Sequence, residues 1–136
     1  MNEIILSNGV KLPSVGLGAN GIWGNTDSPS IRQMAAEQYN IYSYALKSGK
    51  CCLFDTSESY GLNEKVLGRA ISDAGARNKI SIITKVGNES QRKGNIRGAL
   101  EKSLRNLKTD YIDVYLMHWP QSGTFLKTYQ AMERLY

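Results

Sequence analysis

Four side chains of this 136-residue chain could together handle a proton: Asp55, Tyr60, Lys85 and His118. Asp55 closes the apolar run "CCLFD", and Tyr60 follows within "DTSESYG". Lys85 stands near the end of "KISIITKV", and His118, the single histidine, ends "YIDVYLMH". An ammonium beside a phenol favours the phenolate. An aspartate beside that lysine keeps it charged and oriented. A tyrosine in such a setting can donate a proton, and a neighbouring histidine can polarise a carbonyl oxygen through a hydrogen bond. Together these groups would protonate an oxygen that is gaining negative charge, as in hydride addition to a carbonyl. No side chain supplies hydride, so the chemistry calls for a nicotinamide cofactor. Taken singly, each residue has a plainer explanation: a lysine reaching solvent, a histidine acting as a spacer, a polar loop leaving a strand. Their equivalent placement on three successive strands argues otherwise.

The elements that must position them alternate. "EIILSNGVKLP" predicts a hairpin around Asn8-Gly9, a turn signal that favours type I′. "SVGLGANG" predicts a short strand, and "PSIRQMAAEQYNIYSYALKSG" a helix capped by Gly49, with Ile31, Met34, Ala35, Tyr42, Ala45 and Leu46 mostly at helical spacing. Tyr39, Tyr42 and Tyr44 read as packing and rim residues. "CCLFD" is the next strand. "NEKVLGRAISDAG" follows as a helix, with Asn63 as its cap and Leu67, Ala70, Ile71 and Ala74 on one face. After "KISIITKV" comes "IRGALEKSLRNLKT", a helix with Ile96, Leu100, Leu104 and Leu107 inward and a Glu101–Arg105 pair outward. "YIDVYLMHWP" is the last strand, and "TFLKTYQAMERLY" a helix within which the chain stops.

This βα rhythm implies right-handed crossovers and a parallel sheet, with strands apolar on both faces. Two architectures fit: a doubly wound open sheet, or part of a (β/α)8 barrel, which typically needs about 250 residues. In either, the C-terminal strand ends share one edge, where α/β proteins place their sites. Gly16, Gly18 and Gly21 spell G-x-G-x-x-G, but "IWGNTDSPS" separates them from the next helix, and the acidic residue of a dinucleotide fingerprint is missing from its place.

Composition sets outer bounds. Apolar content of 41% and charged content of 21% suit an ordinary globular chain. No apolar run approaches the roughly 20 residues of a membrane span, and Glu3 stands where a signal peptide would be basic, so the expected location is the cytoplasm. Cys51 and Cys52 are adjacent, poorly placed for a disulfide or a metal site, and read as reduced thiols. The net charge of +5 is scattered. Its densest run, "QRKGN", reads as a solvated loop without aromatic interleaving, which argues against nucleic acid as a partner.

The blocks "LSNGVKLPSVGLG", "FDTSESYGLNEKVLGRAI", "IITKV" and "ALEKSLRNLKTDYIDVYLMHWP" resemble the aldo-keto reductases in order and spacing. The resemblance covers essentially residues 1–136 and implies a (β/α)8 barrel, here its hairpin and first four βα units. It implies Tyr60 as proton donor, Lys85 with Asp55 tuning it, and His118 orienting the carbonyl of a small-molecule substrate. It implies NADPH as cofactor, with contacts from Gly18, Ala19 and Asp55, and His118, Trp119 and Trp23 lining the substrate pocket. The family often carries threonine after its first-strand glycine, where "GLGANGIWG" has Ala19 and Asn20.

A second departure is length. The family's strands five to eight, its nicotinamide-stacking tyrosine and its basic loops for the 2′-phosphate have no counterpart among these residues. The expectation is therefore a fragment with the catalytic half present and most of the cofactor grip missing, with little activity on its own. Its open barrel edges would favour self-association. The alternative is a truncated, non-catalytic product that keeps half the barrel, lacks cofactor binding and acts, if at all, by association.

Overall fold

The computed structural model describes residues 3–135. It opens on a hairpin, β1 (Glu3–Ile5) against β2 (Lys11–Pro13), paired antiparallel with Ile4 opposite Leu12. The turn falls where Asn8-Gly9 predicts it, but its type differs. Only Gly9 has positive φ (83°), and its amide donates to the Leu6 carbonyl while Leu6 donates to Val10. A type I′ turn needs positive φ at both central residues; this is the longer loop with glycine in the left-handed position.

A parallel sheet follows: β3 (Leu17–Gly18), β4 (Leu53–Asp55), β5 (Ser81–Val86) and β6 (Val114–Met117), in the spatial order of the chain. A doubly wound sheet reverses its strand order at a switch point. This sheet never reverses, so it is the first half of a (β/α)8 barrel wall. Helices α1 (Pro29–Ser48), α2 (Asn63–Ala74), α4 (Ile96–Leu107) and α5 (Phe125–Glu133) follow the four strands, and each packs on the next. A six-residue helix, α3 (Asn88–Lys93), lies between β5 and α4 and ends at Gly94. It corrects the expected "QRKGN" loop: Gln91 is buried, and its amide donates to the Val86 and Trp119 carbonyls at 3.2 Å each.

The core sits between sheet and helices. Phe54 and Ile82 from the strands meet Tyr42 and Ala45 of α1, Leu67, Ala70 and Ile71 of α2, and Leu107 of α4. Strand alternation is clean: Phe54, Ile82, Thr84 and Val86 face the helices and are buried, whereas Leu53, Ser81, Ile83 and Lys85 face the barrel side and are half-buried. Helices thus cover one face of the sheet, as in a (β/α)8 barrel wall. Burying the helix-facing side chains supplies on the order of 2 kcal/mol per large residue.

The buried helix faces differ in part from those the spacing predicts. In α1, Tyr42 and Ala45 are buried, but Met34 is exposed, and Tyr44 is 78% exposed. In α2, Ala74 is exposed. In α4 the buried residues are Ile96, Ala99, Ser103 and Leu107. Leu100 and Leu104 instead line a cleft shared with Met132 and Leu135 beside α5. Ala99 packs with Val86 and Ile96, and the C-terminal turn of α4 presses close to Gly68 of α2. A Cβ on Gly68 would fall 2.2 Å from the Asn106 carbonyl oxygen. The expected Glu101–Arg105 pair does not form; the i,i+4 pairs present are Arg69–Asp73 and Lys93–Glu89. Cys51 and Cys52 are both free thiols.

At the N-terminal end of the sheet, Arg77 is a clamp. It donates to the Ile80 and Tyr111 carbonyls at 3.0 Å and pairs with Asp113 at 2.7 Å, while its guanidinium stacks 3.7 Å from the Tyr111 ring centroid. Asp113 also accepts the Ile82 amide at 2.8 Å, so one carboxylate ties β5 to the start of β6. Among the described residues no helix is long and apolar enough to cross a membrane.

Candidate active site

The four predicted groups meet at the C-terminal end of the sheet. Register explains how. Gly18 is level with Asp55, Asp55 with Ile83, and Lys85, two residues further along β5, lies on the same barrel-side face. The Lys85 ammonium forms an ion pair with Asp55 Oδ1 and donates to the Thr56 carbonyl at 3.0 Å. Its Nζ stands 5.6 Å from the Tyr60 ring centroid. His118 follows β6 directly, with its amide bonded to the Val86 carbonyl at 3.2 Å. Its Nε2 lies 3.5 Å from the Tyr60 hydroxyl, and the two rings meet edge-on, 5.2 Å between centroids. Asp55, Lys85, Tyr60 and His118 therefore form one continuous constellation. Burial first, and the charge of Lys85 second, push the His118 imidazole below its ordinary value, against a smaller opposing pull from Asp55. The shift favours the neutral ring, which can still donate to a carbonyl oxygen.

The loop that carries Tyr60 is pinned from three sides. The Lys85 carbonyl accepts the Glu58 amide at 3.1 Å, and the Glu58 carboxylate accepts the Gly87 amide at 2.9 Å and the Ser90 hydroxyl at 2.8 Å. On the other side, Ile22 bridges Gly61: the Ile22 amide donates to the Tyr60 carbonyl at 3.1 Å, and the Leu62 amide to the Ile22 carbonyl at 2.9 Å. Gly61 has φ 62°, and a Cβ there would lie 2.0 Å from the Ile22 carbonyl oxygen, so both conformation and space require glycine.

Asn63 is the third anchor, and its role differs from the expected helix cap. Leu62 occupies the cap position of α2, with no side-chain cap bond. Asn63 is fully buried; its Oδ1 accepts the Tyr42 hydroxyl at 2.8 Å and the Thr56 hydroxyl at 3.0 Å, and its Nδ2 donates to the Asn20 carbonyl at 2.8 Å. It joins α1, the end of β4 and the loop after β3. Burial, only partly offset by the bond to Asn63, pushes the Tyr42 phenol up to about 12. Neither this hub nor Glu58 and Ser57 stood out in the sequence, because their partners are distant along the chain.

The expected substrate and cofactor residues lie on the same rim. Trp119 is 63% exposed and stacks on His118, 5.6 Å between centroids and 13° between planes. Trp23 is 60% exposed and donates its indole N–H to the Ser59 carbonyl at 2.8 Å. Gly18 opens onto the rim, with no atom within 4 Å of where a Cβ would sit. The Ala19 amide is bonded to the Asp55 carbonyl at 2.8 Å, so Ala19 offers a surface and not a donor. The open backbone at Gly18 beside the Asp55 carboxylate suits a flat heterocycle joined to a polyhydroxy sugar, which is the reactive end of a nicotinamide cofactor.

The family model described as "Aldo/keto reductase family" matches residues 14–136. Glyoxal reductase of Bacillus subtilis is 37% identical over 99% of this chain and 45% of its own length. The structure of an aldo/keto reductase from Brucella melitensis superposes with a TM-score of 0.82 at 33% identity, covering 98% of this chain and 48% of that one. A Bombyx mori aldo-keto reductase in complex with NADP superposes at a TM-score of 0.73 and 26% identity, covering 98% and 46%. With its half-barrel sheet and this rim, the chain belongs to the aldo/keto reductase family. It spans under half the length of the curated relatives it matches.

Proposed function

We propose that this rim reduces an aldehyde or ketone to an alcohol with NADPH, Tyr60 giving the proton. The observation that carries the reading is the Tyr60 hydroxyl and His118 Nε2, 3.5 Å apart with the Lys85–Asp55 ion pair behind them. Two donors at that separation can converge on one carbonyl oxygen. A bound nicotinamide cofactor would supply hydride, and Gly18 and Asp55 would hold its reactive end. His118 orients the carbonyl, and Tyr60 donates its proton to the oxygen as negative charge builds there. The Lys85 ammonium then stabilises the phenolate left behind, while Asp55 fixes the lysine in place. Trp23 and Trp119 would flank the substrate. The family relationship and the relatives' names, including glyoxal and methylglyoxal reductases, support a small carbonyl substrate.

Cofactor consumption with a small aldehyde, measured in the 136-residue chain and in any longer protein that contains it, tests the reading. Turnover that Tyr60→Phe abolishes supports it. Turnover that survives Tyr60→Phe refutes the role of Tyr60. Low-micromolar NADPH affinity in the 136-residue chain would overturn the expectation that these residues alone grip the cofactor weakly.

A further inference from the structure

We propose that Ser57 is a positioning residue: its hydroxyl donates to His118 Nδ1 and thereby holds the ring as the tautomer whose Nε2–H faces Tyr60. Resting on the carbonyl-reduction reading, this says how the donor on Nε2 is kept in place.

Ser57 is fully buried at the end of β4, and its Oγ has three neighbours. The Ser59 amide donates to it at 3.1 Å. His118 Nδ1 lies at 2.9 Å and the Lys85 carbonyl at 3.3 Å. A hydroxyl has one hydrogen and two lone pairs. The Ser59 amide occupies one lone pair, and the hydrogen must choose between Nδ1 and the carbonyl. At 3.3 Å the carbonyl is beyond the usual range for an O–H donor, and it already accepts the Glu58 amide at 3.1 Å. Nδ1 is nearer by 0.4 Å and has no other partner among the described residues. The shorter distance favours aiming the hydrogen at Nδ1, which leaves Nε2 protonated; a hydrogen aimed at the carbonyl would instead turn the second lone pair to an Nδ1–H.

The other side of the ring agrees. An unprotonated Nε2 would draw in the Tyr60 O–H as a donor, toward the normal O–H···N separation. The pair instead stands at 3.5 Å, as two donors do when each is aimed at a third atom. The ring cannot turn over freely to exchange its nitrogens, because Trp119 stacks on one face and Tyr60 meets it edge-on.

His118 is the only histidine, so its two ring nitrogens can be read in the 136-residue chain without ambiguity by two-bond proton–nitrogen NMR. At a pH above the ring's titration, the expected spectrum has a pyridine-type Nδ1 and a pyrrole-type Nε2. Ser57→Ala should move the tautomer ratio about fivefold toward the Nδ1–H form, the equivalent of one neutral hydrogen bond. Ser57→Cys, a weaker donor of similar size, should fall between them. A wild-type spectrum with protonated Nδ1 overturns the proposal without any variant, and so does a ratio unmoved by Ser57→Ala. Where turnover is measurable, Ser57→Ala should lower kcat only in proportion to the fall in the Nε2–H fraction, by less than about fivefold. The expected tautomer together with turnover indifferent to Tyr60→Phe would retain Ser57 and reject the reaction. The opposite pair of results would do the reverse.

Discussion

Replacing Asn63 by alanine separates two roles that give the residue opposite mutational signatures. A helix cap costs about 1 kcal/mol when removed, and aspartate or serine restores it. The hub seen here predicts a larger loss with no rescue. Asn63→Ala deletes three hydrogen bonds, worth about 1 kcal/mol each. It also leaves the Tyr42 and Thr56 hydroxyls, whose residues are 1% and 0% exposed, without the acceptor they share. Stranding buried donors adds about 1–2 kcal/mol, for a total of about 4–5 kcal/mol. Against a native stability of about 5–15 kcal/mol, that is a severe lesion. Asn63→Asp keeps the acceptor for both hydroxyls but turns a carboxylate oxygen toward the Asn20 carbonyl, so it should stay well below wild type. Urea denaturation followed by far-UV circular dichroism gives the free energies. Emission of Trp23, on the loop that Asn63 secures through Asn20, reports the local effect in a Trp119→Phe background. A loss of about 1 kcal/mol, restored by aspartate or serine, would refute the hub and reinstate the cap.

Three further outcomes follow from the geometry. Gly61→Ala should cost at least about 2 kcal/mol, because the left-handed backbone and the Ile22 carbonyl both oppose a Cβ. Gly61→Asn, which tolerates the backbone angle but not the contact, should fare no better in thermal melts, and its recovery would show that only the angle matters. Asp113→Ala removes the partner of Arg77 and the acceptor of the Ile82 amide, and should cost about 3 kcal/mol by urea titration; Arg77→Ala in that background should cost more again, because it frees the Ile80 and Tyr111 carbonyls. For pH, the raised phenol of Tyr42 favours the protonated form in the native state. Its contribution is whole below the unfolded value near 10 and is lost as pH rises toward about 12. Tyr42→Phe should flatten that alkaline decline in denaturation midpoints, and an unchanged decline would exclude Tyr42 as its cause.

The positions of Asp55, Lys85 and His118 were legible in the sequence because strand ends in a parallel sheet share an edge, whatever the details of packing. The βα rhythm carries that information locally. The choice between open sheet and barrel was not local: it depends on whether strand order reverses, and apolar strands look alike in both. The α4 face was misread by one position, since Leu100 and Leu104 satisfy helical spacing as well as Ala99 and Ser103 do. Ala99 is buried because it packs against Val86 and Ile96, a contact that helical spacing alone does not single out. Asn63 looked like a cap because caps are recognised by neighbours in sequence, whereas its partners lie 7 to 43 residues away. Ser57 and His118, 61 residues apart, meet only once the sheet is assembled.

The Ile22–Gly61 bridge has a consequence for anyone exchanging loops in this protein. The stretch after β3 presents Trp23 to the rim, yet its backbone is also the scaffold on which Tyr60 rests. A graft that keeps residues 19–23 and begins after Gly24 can alter the approach to the rim and leave Tyr60 where it is. A graft that replaces Ile22 breaks the backbone bonds to Tyr60 and Leu62 and moves Tyr60 along with Trp23. Two features of the rim would then shift together from a single splice.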